Sequence, residues 1–247
     1  ITEPTALVVS ASATAFSCDA TNVKQSAVVT IDVPTTGTAP YEYSFNGGTY
    51  SSVRTLTVND NGTNQTINYS VRDAKGCITP GTAIILNRLN PPTDLAFANA
   101  AVTCTAPTTS VTLTATNGVG TLQYETIAPS VAIVAKQTSN VFAGLASGSY
   151  TFRVTDANGC YYTESYTITP VTPIAVTATK LTDVDCFGIP TGSARFTVSS
   201  FSSTGNYNIT VSSTPASLPY TLSPSGDVLT LTGLVAGTYT FSVTDIT

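Results

Sequence analysis

One phrase occurs three times along this chain: Tyr69-Ser70-Val71-Arg72-Asp73-Ala74-Lys75-Gly76-Cys77, then Phe152-Arg153-Val154-Thr155-Asp156-Ala157-Asn158-Gly159-Cys160, then Phe241-Ser242-Val243-Thr244-Asp245. Its aspartates lie 83 and 89 residues apart, and an earlier cysteine recurs as Cys18, Cys104 and Cys186 at spacings of 86 and 82. Self-similarity at this period reads as copies of one small domain laid end to end. Proline-bearing junctions, Asn90-Pro91-Pro92 and Thr169-Pro170-Val171-Thr172-Pro173, separate the copies. Proline fixes φ, so these are expected to be short, semi-rigid linkers. The expected domains are 1–88, 89–169 and 170–247, the last truncated before its final strand.

Within each copy, apolar residues alternate with period two, the spacing of a strand with one buried face. Ala27, Val29, Ile31 and Val33 share one side of a strand, as do Val111, Leu113 and Ala115, and Ala194, Phe196 and Val198. Tyr150, Phe152 and Val154 alternate, and so do Tyr239, Phe241 and Val243. Asp-Ala-Lys-Gly and Asp-Ala-Asn-Gly are tight-turn sequences: Gly76 and Gly159 accept positive φ, and the aspartate bonds back to the backbone. About seven short strands in each 80–90 residues predict an all-β fold of three tandem immunoglobulin-like sandwiches. Tyr150 and Tyr239 take the place of that fold's tyrosine corner, where the hydroxyl bonds to backbone.

Composition narrows the chemistry. His 0 removes an imidazole base, a Ser-His-Asp triad and His-ligated zinc. Met 0 is expected of a processed chain or a segment of a longer one. Roughly a fifth of the residues are Thr, which with Val, Ile and Tyr suits pleated surfaces. A net charge of -5 argues against nucleic acid and against anionic membrane surfaces. Apolar runs such as Ala83-Ile84-Ile85-Leu86 are far too short for a membrane span. Glycoside hydrolysis needs paired carboxylates across a cleft, and Asp183-x-Asp185 is the only close pair, so no enzyme is expected.

The five cysteines fit the repeat. Two intradomain disulfides are expected, Cys18–Cys77 and Cys104–Cys160, closing spans of 59 and 56 residues. The third late cysteine would fall past the last residue, leaving Cys186 unpaired by truncation. A zinc site would want close CxxC pairs, and there are none. Disulfides of this kind imply an oxidising, extracytoplasmic compartment. No cofactor is expected, with calcium as the one candidate. The first bridge would bring Asp19 and Asp73 to one pole, and Asp183, Asp185 and Asp245 would meet in the third copy, as hard oxygen ligands. The alternative is that Asp73, Asp156 and Asp245 initiate turns. Thr112, Thr114 and Thr116 read as the solvent side of an ordinary strand.

Gly37-Thr38-Ala39-Pro40-Tyr41-Glu42-Tyr43-Ser44-Phe45-Asn46-Gly47-Gly48, together with the run from Gly144 through Cys160, resembles the two halves of the SprB repeat. The chain departs from it at Gln65-Thr66-Ile67, where Gly-Ser-Tyr is expected, and the second and third copies lack the Gly-x-x-Pro-Tyr phrase. SprB repeats belong to very large secreted surface proteins of Bacteroidetes. The resemblance implies a filamentous cell-surface adhesin used in gliding motility and surface attachment, exported by the type IX route. Its implied partners are an external surface, a glycan or other cell-surface polymer, and the secretion and motility machinery. In a bacterial chain the sequons at Asn61, Asn64, Asn68 and Asn208 carry little. The expectation is a structural and adhesive segment, extracellular and on the cell surface. The alternatives are a glycan-binding module that targets a secreted enzyme, and a passive spacer.

Overall fold

In the computed structural model the described residues are 5–200, 207–216, 218, 220–225 and 227–246. Among them the chain is built of β-strands apart from one 3-10 turn, Ser130–Ala132. No helix of the described residues is long and apolar enough to cross a membrane. The chain divides into two compact units, one comprising 1–100, 110–145 and 149–167, the other 101–109, 146–148 and 168–247. The first unit therefore runs through the expected boundary near 88.

The first unit opens with ten short strands: β1 (Ala11–Ala13), β2 (Ser17–Cys18), β3 (Lys24–Gln25), β4 (Ala27–Ile31), β5 (Glu42–Phe45), β6 (Thr55–Val58), β7 (Gln65–Ile67), β8 (Tyr69–Arg72), β9 (Ile78–Pro80) and β10 (Ile84–Leu86). One antiparallel sheet has the order β1-β4-β6 and a second β5-β8-β9, while β7 pairs with β10 and β2 with β3. Strand β4 buries Ala27, Val29 and Ile31 and leaves Val28 and Thr30 half-buried, the alternation its sequence carries.

Its core falls into two clusters. Phe16, Ala27, Val29, Val58, Ile67, Leu86 and Leu89 form one; Leu7, Ile31, Tyr43, Tyr69 and Val71 form the other. Ile31 from one sheet meets Tyr43, Tyr69 and Val71 from the other, so the sheets face each other across apolar side chains. Each such aliphatic or aromatic group contributes about 1.5–3 kcal/mol when fully buried.

The same unit holds most of the next six strands: β11 (Asp94–Asn99), β12 (Thr108–Thr116), β13 (Gln123–Ala128), β14 (Val141–Ala146), β15 (Gly148–Thr155) and β16 (Tyr161–Ile168). Their sheets are β11-β12-β14 and β13-β15-β16. Aromatic rings join these two layers. Phe152 on β15 lies 5.5 Å from Phe97 and 5.1 Å, edge-on, from Phe142, and Phe97 stacks on Tyr166 at 4.6 Å.

The second unit carries β17 (Ala175–Thr182), β18 (Gly192–Ser199), β19 (Tyr207–Thr214), β20 (Thr221–Ser225), β21 (Val228–Leu234) and β22 (Thr238–Asp245). A four-stranded sheet, β17-β18-β21-β20, buries Phe196, Val198, Leu229 and Leu231 against Ile209, Val211, Phe241 and Val243 of the β19-β22 pair. Phe196 and Phe241 stack at 4.4 Å across that layer.

Phe152 is fully buried and touches both layers, so Phe152→Ala is expected to lower stability by about 3–5 kcal/mol. Urea denaturation measures it. Exposed Val141→Thr in the same pair of sheets should change stability by no more than about 0.5 kcal/mol.

Candidate functional site

The repeated aspartates are buried pins of backbone. The Asp73 carboxylate accepts the amides of Lys75 at 3.0 Å and Cys77 at 2.9 Å through Oδ1, and that of Thr38 at 3.0 Å through Oδ2. The Asp156 carboxylate accepts Asn158 at 2.9 Å, Cys160 at 3.0 Å and, across the sandwich end, Val119 at 3.3 Å. The backbone bonds match as well. Asp73 N donates to Cys77 O and Ala74 N to Thr38 O; Asp156 N donates to Cys160 O and Ala157 N to Val119 O. Gly76 and Gly159 close the turns at φ of 83° and 79°. Gly37 and Gly118, just before the docked Thr38 and Val119, also hold positive φ. Each loop is therefore bolted to a glycine-preceded residue upstream, 35 positions before Asp73 and 37 before Asp156.

A third copy of this loop lies at 19–23. Asp19 Oδ1 accepts the amides of Thr21 and Val23, Asp19 N donates to Val23 O, and Asn22 takes the positive φ, 65°, that glycine takes elsewhere. The signal was present in the sequence as Asp19-Ala20-Thr21-Asn22, with asparagine, the next most tolerant residue, in the glycine's place.

Two of the three loops meet. The hairpin of β2 and β3 carries its 19–23 loop onto the Asp156 turn of the second pair of sheets. Cys18 N donates to Asn158 O at 2.9 Å, Asn22 Nδ2 donates to Tyr161 O at 2.9 Å, and Tyr161 N donates back to Asn22 Oδ1 at 2.9 Å. The Asn22 amide thus satisfies both backbone groups of Tyr161 as a neighbouring strand would. Beside these bonds Cys18 and Cys160 form a disulfide, with Cα atoms 4.8 Å apart and a sequence separation of 142. Cys160 is fully buried and belongs to the apolar cluster of Phe16, Ala27, Val29 and Leu89. Gly159 is needed twice over, because a Cβ there would stand 2.9 Å from Cys18 O.

This pairing corrects the expected one. Cys18 is bonded to Cys160, not to Cys77, and Cys104 is not bonded to Cys160; Cys77, Cys104 and Cys186 are free and exposed. The reason lies in the strand path. Ile67 sits in the cluster that Cys18 touches, Val71 four residues on sits in the other cluster, and the 73–77 turn lies beyond it. Cys18 and Cys77 therefore occupy opposite ends of one core.

The expected meeting of Asp19 and Asp73 at one pole fails for the same reason. Asp183 pairs with Lys180 Nζ at 2.9 Å in solvent. The backbone amide of Asp185 donates to Thr191 Oγ1, and Asp245 ends β22 opposite Tyr207. Among the described residues no three His, Cys, Asp or Glu side chains converge as metal ligands. Tyr150 is buried beside Phe152, and Tyr239 packs on its core with Oη donating to Val235 O at 3.5 Å.

Three carboxylates are held below their ordinary value of 3.8. For Asp19 the Thr21 hydroxyl bond is the largest cause, joined by the Val23 and Thr21 amides. For Asp73, burial alone would raise the value, but the amides of Thr38, Cys77 and Lys75 and the Cys77 thiol outweigh it. For Asp60, burial is likewise outweighed by the Lys24 ammonium and by the Gly62 and Leu89 amides.

No family model matches the chain, and no curated protein matches it. Three solved structures resemble it at low identity. A C-terminal 282-residue fragment of intimin, in complex with the translocated intimin receptor's intimin-binding domain, is 14% identical, with a TM-score of 0.38, covering 69% of this chain and 66% of that one. The human desmocollin-1 ectodomain is 12% identical, TM-score 0.35, with coverage of 84% and 50%. Domains 4–9 of the surface layer protein SbsC are 13% identical, TM-score 0.27, with coverage of 99% and 47%. The chain thus spans less than two-thirds of each of these structures.

Asp156→Ala leaves three amides without their acceptor and is expected to lower stability by about 2–4 kcal/mol in thermal or urea denaturation. Gly159→Ala should also raise the free-thiol count of the purified chain above three, because the added Cβ pushes Cys18 away. Gly76→Ala meets no atom within 4 Å and should leave that count at three, with only about 1 kcal/mol of backbone strain.

The lowered carboxylates set the response to acid. Each contributes stability that is complete above its unfolded value and is lost as pH falls through the lower folded value. The melting temperature is therefore expected to hold from pH 7 to about 5 and to fall steadily below about 4. A melting temperature that rises on acidification below pH 4 would contradict this account.

Proposed function

We propose that the chain is a load-bearing, adhesive segment of a long filamentous surface protein of the SprB-repeat kind, built from three tandem immunoglobulin-like sandwiches and carried outside the cell. The observation that supports this reading is the covalent bridge from Cys18 to Cys160. A linker alone would let one sandwich swing on the next. The bridge, with the Asn22–Tyr161 amide pair beside it, fastens the first pair of sheets to the second next to the Asn90-Pro91-Pro92 junction, whose neighbour Leu89 packs in the same cluster as Cys160. Two attachments resist bending where one does not.

The bridge also reroutes tension. Force applied at the two ends enters at residue 5 or earlier, crosses the sulfur–sulfur bond at 18, and continues from 160. Residues 19–159, which hold β3 to β15, lie outside that path. A bridge over so long a loop contributes about 5 kcal/mol by restricting the unfolded chain, as large as the whole stability of many small domains. An oxidised exterior suits this bond, and reducing cytoplasm does not. The sparse charge of the chain leaves contact with a surface or glycan to short-range forces rather than to ion pairing.

Single-molecule pulling between the termini tests the mechanical half. The oxidised chain should unfold without releasing the bridged segment, and reduction should add about 500 Å of contour length, from a separation of 142 residues at about 3.3–3.6 Å each. Equal contour lengths with and without reductant would overturn it. Antibody labelling of live, unpermeabilised cells tests the other half. Signal on extended, cell-attached material, with a very large band on a blot, is the expected result. A modest-sized protein found only in the culture supernatant would overturn the filament reading.

A further inference from the structure

Cys77 occupies the same place in its turn that Cys160 occupies in its own. Both follow a pinned aspartate by four residues, both donate their amide to its Oδ1, and both follow a glycine at positive φ. Their surroundings differ. The Asp156 turn is covered by the Cys18–Val23 loop of the first pair of sheets, and Cys160 is bonded and fully buried. The Asp73 turn is uncovered, and Cys77 is free and exposed. No atom stands within 4 Å of a Cβ built on Gly76, where the equivalent position on Gly159 meets Cys18 O at 2.9 Å. Instead the turn borders an open groove of about 600 Å³, walled by Leu7, Thr36, Thr38, Asp73, Lys75 and Cys77.

We infer that this groove is a second docking site of the same kind, and that its occupant is the end of another copy of this repeat, which presents an early cysteine to Cys77. The established contact supplies the argument: of the two such turns that end in a cysteine, the one that has a neighbour receives the early-cysteine end of an adjacent pair of sheets and closes a disulfide with it. Cys104 and Cys186 stand in the early position of Cys18, and both are free and exposed, so the chain carries donor thiols as well as an acceptor. The bond forms by exchange with a low-molecular-weight disulfide. The Cys77 thiolate attacks one sulfur of that disulfide and expels the first small thiolate. The early cysteine's thiolate then attacks Cys77 Sγ of the mixed disulfide and expels the second. Two protein thiols lose their protons, and the small disulfide is reduced to two thiols.

The whole chain tests this as both donor and acceptor. It is incubated concentrated in a glutathione redox buffer, and the cross-linked species are digested without reductant and mapped by mass spectrometry. Docking raises the local concentration of the correct pair, so Cys77–Cys104 and Cys77–Cys186 bridges between copies should exceed Cys77–Cys77 and Cys104–Cys186 bridges by at least about tenfold. Cys77→Ser, a change at an exposed position, should cut cross-linking about tenfold, while Cys104→Ser should leave the Cys186 bridge in place. Pairing in random proportions, a Cys77→Ser chain that cross-links as well as the parent, or no cross-linking by the parent chain would each overturn the inference. None of these results touches the Cys18–Cys160 bridge, so the load-bearing reading stands or falls separately.

Discussion

The grip of the Asp156 carboxylate on three backbone amides decides where the chain's covalent bridge can form. Two of those amides belong to its own turn and the third to Val119, so the turn is fixed both internally and against the loop ahead of it. A free loop would leave the Cys160 sulfur to sample many directions. The pinned one delivers it into the apolar cluster around Phe16 and Leu89, within bonding distance of Cys18. Burial then protects the bond, and the Asn22 amide closes the remaining backbone groups at the joint. Electrostatics, burial and a covalent bond thus act in series, each needing the one before it.

Chain statistics alone would have chosen differently. Closing the 59-residue span from Cys18 to Cys77 is entropically easier than closing 142 residues, by about 0.8 kcal/mol. That margin is smaller than a single hydrogen bond to a charged group. Folding the first core separates Cys18 and Cys77 to its two ends, and no loop-entropy advantage of this size recovers such a distance. The turn pinned by Asp156 brings the more distant partner instead.

The all-β character and the buried faces were legible from spacing alone. Val29 and Ile31, or Phe152 and Val154, alternate with polar neighbours, and pleated geometry sends alternate residues to opposite faces. The turn role of Asp73 and Asp156 was equally readable, because carboxylates, glycine and a four-residue spacing define it locally. Other features were written less plainly. Asn22 performs a glycine's task in the third loop, and Gly118-Val119 replaces Gly37-Thr38 without keeping its neighbours. The cysteine partners were not legible at all. Which end of a core a turn occupies depends on the path of β7 and β8 through it, and period-two alternation says only which face a residue takes.

The bridge has a topological meaning as well. Residues 18 to 160 form a closed covalent ring, with the rest of the chain attached as two tails at neighbouring points. That ring contains the Asn90-Pro91-Pro92 junction and the exposed stretch around Val131 and Ile133, the kind of backbone a protease reaches first. A single cut anywhere inside it turns the ring into a longer open strand, yet both halves stay joined through sulfur. Enzymatic wear on this part of the molecule therefore accumulates as nicks without shedding anything that lies beyond them, until a reductant arrives.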